Sequence, residues 1–117
     1  MGMTPEGQVK HKIKQVLKKY GAWYYMPVPG GYGEPTLDFI CSYHSITFAI
    51  EAKAHGKKPT PRQKVTINTM ERTGIRTFVI DGDKGLKELR DWLDIVGDKI
   101  PVLKKLIGTE QTLDEAK

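Results

Sequence analysis

One run of eight residues constrains the fold more than any other: Ile-Thr-Phe-Ala-Ile-Glu-Ala-Lys at 46–53. Ile46, Phe48, Ile50 and Ala52 alternate with Thr47, Ala49, Glu51 and Lys53, and a period of two belongs to a strand. One face of that strand is wholly apolar, so it needs a sheet with a covering layer. Helices to supply the layer are written nearby. Thr4-Pro5 places an N-cap and a proline where a helix starts. Val9, Ile13, Val16, Leu17 and Tyr20 then form one helical stripe, which Gly21 stops. Thr60-Pro61 repeats the device and opens a helix to about Thr73, ended by Gly74. Leu86, Leu89, Trp92, Leu93 and Val96 mark a further amphipathic helix, and 100–107 reads as a separate short apolar helix before a polar tail from Gly108. Strands are expected at 22–28, closed by Pro27 and Pro29, at 37–41 and at 75–80, with a turn over 42–45. The order predicts an α/β fold with a small mixed sheet.

Composition narrows the partners. The chain has 117 residues, which suits one domain. Lys and Arg number 19 against 14 Asp and Glu, a net charge of +5, so polyanions are the natural partners. A single cysteine, Cys41, excludes an intrachain disulfide and a cysteine-built zinc site. No apolar run is long enough to span a membrane, and no secretory signal is visible, so an intracellular location is expected.

Glu51 and Lys53 leave the same face of their strand. Asp38 is embedded in the apolar run Leu-Asp-Phe-Ile-Cys on the preceding strand, and if the two strands pair, Asp38 and Glu51 converge. Two carboxylates at one point repel unless a cation lies between them, and hard oxygen donors suit Mg²⁺ or Mn²⁺. His11, His44 and His55 lack ligand spacing. Gly30-Gly31-Tyr32-Gly33 lacks the Lys-Ser/Thr ending of a phosphate loop and reads as a loop near the site. Trp23, Tyr24 and Tyr25 are expected to pack the core, as aromatic strand residues usually do, with base stacking as the alternative.

Asp38 followed by Glu51-Ala52-Lys53 resembles the bipartite motif of the PD-(D/E)xK nuclease superfamily. Glu6 on the first helix, the glycine-rich loop before Asp38, the strand 48–53 and the following Gly56-Lys57-Lys58-Pro59-Thr60-Pro61-Arg62-Gln63 together resemble its VRR-NUC branch, and among those the stand-alone, virus-type members. The resemblance covers roughly residues 4–93. One departure is that the family proline usually precedes the aspartate directly, whereas Thr36 and Leu37 separate Pro35 from Asp38.

The resemblance implies a restriction-endonuclease-like fold with an α-β-β-β-α-β core. The nuclease domain would span 4–97, with 98–117 a helix and tail of the same domain. It also implies a metal-dependent endonuclease acting on DNA. Asp38, Glu51 and the Ala52 carbonyl would hold Mg²⁺ or Mn²⁺, and Lys53 would act on the attacking water or the phosphate. Glu6 would hold a metal-bound water or a second ion, and Gln63 would orient Lys53 or the phosphate. Lys10, Lys14, Lys57, Lys58, Arg62 and Lys64 would track the DNA backbone, which binds phosphates without reading bases. Branched DNA such as a four-way junction, cut by a homodimer, is the expected substrate. Ile100, Val102, Leu103, Leu106 and Ile107 are candidates for part of that interface. A monomeric flap or nicking nuclease and an inactive DNA-binding module are the alternatives.

Overall fold

The computed structural model describes residues 2–28 and 34–107, with the backbone alone over 100–107. Thr4 Oγ1 accepts the Gly7 amide at 3.0 Å and Pro5 supplies a preset φ, so α1 (Pro5–Tyr20) begins where its capping residues stand. It ends at Gly21, whose φ of 74° is left-handed. Four strands follow the same logic of alternation: β1 (Trp23–Tyr25), β2 (Phe39–Tyr43), β3 (Ile46–Ala52) and, after α2 (Pro61–Arg72), β4 (Arg76–Ile80). The last helix is α3 (Asp83–Ile107). Spatial order is β1-β2-β3-β4, with β1, β2 and β3 antiparallel and β4 parallel to β3 through the α2 crossover. This mixed sheet flanked by helices is the expected α/β arrangement, consistent with a small restriction-endonuclease-like fold.

The apolar face of β3 carries the core. Phe48, Ile50 and Ala52 are joined there by Phe39 and Cys41 of β2 and by Phe78 and Ile80 of β4. α1 covers them with Val9, Ile13, Val16 and Leu17, and α3 with Leu86, Leu89 and Leu93. The Tyr20 hydroxyl donates to Asp94 Oδ1 at 2.8 Å, tying the two covering helices together. Gly85 lets α3 start against the sheet, since a Cβ there would lie 3.1 Å from the Ile80 Cα. Burial pushes the Cys41 thiol up to about 12, as befits a core side chain rather than a reactive one.

Several boundaries differ from those expected. β1 covers only three residues of 22–28; Pro27 has no amide to donate to a ladder. β2 is displaced toward Tyr43, because Ser42 still pairs with Thr47 and Tyr43 with Ile46. The turn is therefore only His44 and Ser45, both with positive φ, 50° and 69°. Two residues in that conformation make a primed hairpin turn, which favours Asn-Gly. Ser45→Gly is expected to stabilise the protein by about 0.5–1 kcal/mol by removing a strained non-glycine φ, read as a higher Tm in thermal unfolding. The helices expected at 86–96 and 100–107 are one continuous helix of 25 residues. Pro101 removes a single backbone donor, and the lysines and leucines on either side keep their helix propensity. The glycine-rich loop at 30–33 and the tail from 108 lie outside the described residues. No described helix is long and apolar enough to cross a membrane.

Candidate active site

Phe39 pairs with Ile50 as the last pair of the β2–β3 ladder, so Asp38, one residue before it, comes beside Glu51, one residue after Ile50, close enough for its charge and backbone amide to act on the Glu51 carboxyl. By alternation Glu51 is on the face opposite the core. The Asp38 backbone has left the ladder here, and its side chain replaces it: Oδ2 accepts the Ala52 amide at 2.8 Å. On the other flank the Lys53 amide donates to the Ile80 carbonyl at 2.9 Å, so the end of β3 is held from both sides. That second role answers why a carboxylate stands in an apolar run.

Glu51 is 4% exposed. Its Oε2 accepts from Gln63 Nε2 at 2.8 Å and lies 3.6 Å from the Lys53 ammonium. Burial, and secondly the negative charge of Asp38, push the Glu51 carboxyl up to about 7; Lys53 and the Asp38 backbone amide pull the other way and are outweighed. Gln63 holds its acceptor by a local device. Thr60 and Gln63 form a capping box at the start of α2, in which Gln63 Oε1 accepts the Thr60 amide at 3.0 Å and Thr60 Oγ1 accepts the Gln63 amide at 3.2 Å. With its oxygen committed to the Thr60 N–H, the amide nitrogen of Gln63 is aimed at Glu51. Helix cap and site are one side chain. Gln63→Ala is therefore expected to lose about 1 kcal/mol of stability through the cap, and to free the Glu51 carboxylate. The check is urea unfolding, with Gln63→Glu losing further stability above neutral pH by setting a third carboxylate against Glu51.

Lys10 was expected on a DNA track, and the structure brings it into the site. Its ammonium is 3.7 Å from Asp38 Oδ1 and 3.4 Å from Glu6 Oε2. Glu6 thus reaches the carboxylate pair through Lys10 rather than by direct contact. The i, i+4 spacing of Glu6 and Lys10 was the available sequence signal; the approach to Asp38 depends on how α1 lies across the sheet. Arg62 joins Lys10, Tyr25, Asp38, Gln63 and Thr66 in lining a groove of about 740 Å³ beside the carboxylates. Lys57, Lys58 and Lys64 are exposed and Lys14 is half-buried; none of the four has an ion pair with the site carboxylates.

The expectation for the aromatic strand is corrected. Tyr24 packs on Phe39 in the core, but Trp23 and Tyr25 are 61% and 54% exposed. β1 is an edge strand, and α2 contacts β4 at the far side of the sheet. Among the described residues no helix packs over the second face of β1. Alternation in Trp-Tyr-Tyr indicated which residues share a face; only the placement of α2 decided that one face stays open.

Among the described residues no three His, Cys, Asp or Glu side chains cluster as a metal site. What the site offers is two opposed carboxylates, a backbone carbonyl at Ala52 and room for water. A buried Glu51 repelled by the half-buried Asp38, with all-oxygen donors, fits a hard divalent cation, for which most ligands are oxygen and several are water. Lys10 and Lys53 balance the two charges without one. No protein-family model matches the chain, and no curated protein matches it.

Proposed function

We propose that the protein is a Mg²⁺- or Mn²⁺-dependent DNA endonuclease, and the observation that carries this reading is the alignment of Asp38 and Glu51 across β2 and β3 with Lys53 beside them. The fold and the resemblance of Asp38, Glu51, Ala52 and Lys53 to the PD-(D/E)xK motif support the same conclusion. Asp38, Glu51 and the Ala52 carbonyl would hold the cation, which when bound supplies Lewis acidity toward a phosphate and acidifies a coordinated water. Glu51 must be ionised to serve, and Lys53 favours that form at 3.6 Å. The Lys53 ammonium then faces the position where phosphate charge accumulates, as donor to the oxyanion or as partner of the attacking water. Gln63 keeps Glu51 in one rotamer. Lys10 is a counter-charge to Asp38 until substrate arrives, and then a phosphate partner with Arg62 across the groove. Lys14, Lys57, Lys58 and Lys64 extend the positive field outward, and contacts of this kind hold phosphates without reading bases, which suits selection by DNA structure.

Branched DNA such as a four-way junction is the substrate we assign, cut by a two-fold dimer that presents two sites to two strands. The test is cleavage of a labelled junction and a matched linear duplex in Mg²⁺, Mn²⁺ or EDTA, with light scattering for the dimer. Metal-dependent cutting of the junction in preference to the duplex is expected. Equal cutting of both would remove the junction assignment, and binding with no cutting under any metal would replace the enzyme with a DNA-binding module.

A further inference from the structure

The open face of β1 lies on the same side of the sheet as the carboxylates. Tyr25 pairs with Ile40, and Ile40 with Ala49; Ala49 and Glu51 are two apart on β3 and share a face. Trp23 pairs with Ser42, and Ser42 with Thr47, one row further along. Directly opposed and diagonal residues on adjacent strands lie within about 8 Å of one another, so Tyr25 is a diagonal neighbour of Asp38. Both line the groove of about 740 Å³.

Resting on the nuclease reading, we propose that Trp23 and Tyr25 form a base-stacking platform that selects unpaired nucleotides next to the scissile phosphate of a DNA strand. Two exposed aromatic rings two residues apart on a strand are about 6.7 Å apart along it, enough for each to take its own base. Bases within a duplex are stacked on their neighbours, so only an unpaired or splayed strand presents a π-face to such rings. The occupant is argued from charge as well as shape. Arg62 and Lys10 stand in the same groove and the chain carries a net +5, which suits a phosphate backbone running beside the stacked bases. Tyr24 between them faces the core, so the platform is anchored from below and its rings are held to one side. The substrate class this implies is DNA with a single-stranded segment at the cut, as at a flap, a gap or an opened branch point.

The experiment is fluorescence anisotropy in EDTA with Glu51→Gln protein, in which cleavage is absent. The probes are a single strand of about twelve nucleotides, within the usual footprint of such sites, the same backbone with abasic sites, and the matched duplex. The single strand is expected to bind at least about 10-fold more tightly than the abasic strand, since stacking contributes that much per base. Adding Trp23→Ala with Tyr25→Ala should erase that difference and leave duplex affinity unchanged, and the exposed positions give the variant no reason to unfold. Trp23→Phe with Tyr25→Phe should restore it. Equal affinity for single and abasic strands in the parent would overturn the platform, as would an equal loss on duplex, or a dimer in sedimentation that the alanine variant dissociates. The nuclease reading is scored separately, by metal-dependent cutting of the labelled four-way junction by the unmutated protein: base-dependent binding without junction cutting under Mg²⁺ or Mn²⁺ sinks the enzyme and keeps the platform, and junction cutting without base dependence does the reverse.

Discussion

Glu51→Gln is expected to abolish metal-dependent cleavage, by about 10³-fold or more, while making the metal-free protein more stable above neutral pH. The two effects have one cause. Glu51 is buried opposite Asp38, which raises its carboxyl from 4.5 to about 7. Between those values the folded state binds more protons than the unfolded, so stability falls as pH rises through that window and the loss is complete above it. A glutamine cannot ionise and escapes the loss. A gap of that size, in which the pull of Lys53 is already included, corresponds to roughly 3 kcal/mol, from which burial of the glutamine amide subtracts, leaving a gain on the order of 2 kcal/mol. In EDTA near pH 8 the variant should melt about 5–10 °C higher, and near pH 4.5 the two proteins should converge. Addition of Mg²⁺ should raise the Tm of the parent by linkage and leave the variant where it was. A variant less stable than the parent at the higher pH would refute the cost of ionising Glu51 in its buried place beside Asp38. An equal Mg²⁺ response in both would place the cation elsewhere.

Phe48→Ala carries the largest expected loss of stability. Phe48 is fully buried on the core face of β3. Its ring meets Trp92 edge-on with centroids 5.0 Å apart and Phe78 at 6.2 Å, and the Phe78 and Trp92 rings themselves pack at 5.4 Å. The three aromatics are where α3 docks on the sheet, so truncation leaves a cavity that neighbours on three elements cannot close together. The cost is ~3–5 kcal/mol, out of a total near 5–15 kcal/mol for a domain of this class. Urea unfolding followed by Trp92 fluorescence should show a large fall in midpoint, with Phe48→Leu intermediate because it keeps most of the volume. A change of less than about 1 kcal/mol would mean that α3 is held elsewhere, by the Tyr20–Asp94 tie.

Much of the site was legible because its signals are local. Glu51 and Lys53 share a face by alternation alone, and Asp38 stands out as a charge in an apolar run. Thr60 and Gln63 are spaced as a capping box. Glu6 and Lys10 are spaced as a helical pair, yet that spacing says nothing of Asp38, which Lys10 reaches only because α1 packs against the sheet. Trp23 and Tyr25 were misread for a similar reason: strand propensity reports that an aromatic fits a pleated surface, not whether a helix lies over it. A separate helix was expected at 100–107, whereas the backbone is one helix from Asp83 to Ile107.

By itself the sequence determined what depends on neighbours a few residues away: the caps of α1 and α2, the stripe of α1, the two faces of β3 and the excess of positive charge. Those properties follow from covalent spacing and the periods of helix and strand. The tertiary structure alone decided what depends on distant chain segments meeting: the approach of Asp38 to Glu51, the raised proton affinity of Glu51, the second task of the Gln63 amide and the open face beside the groove. Register and burial are properties of packed layers, and no single segment carries them.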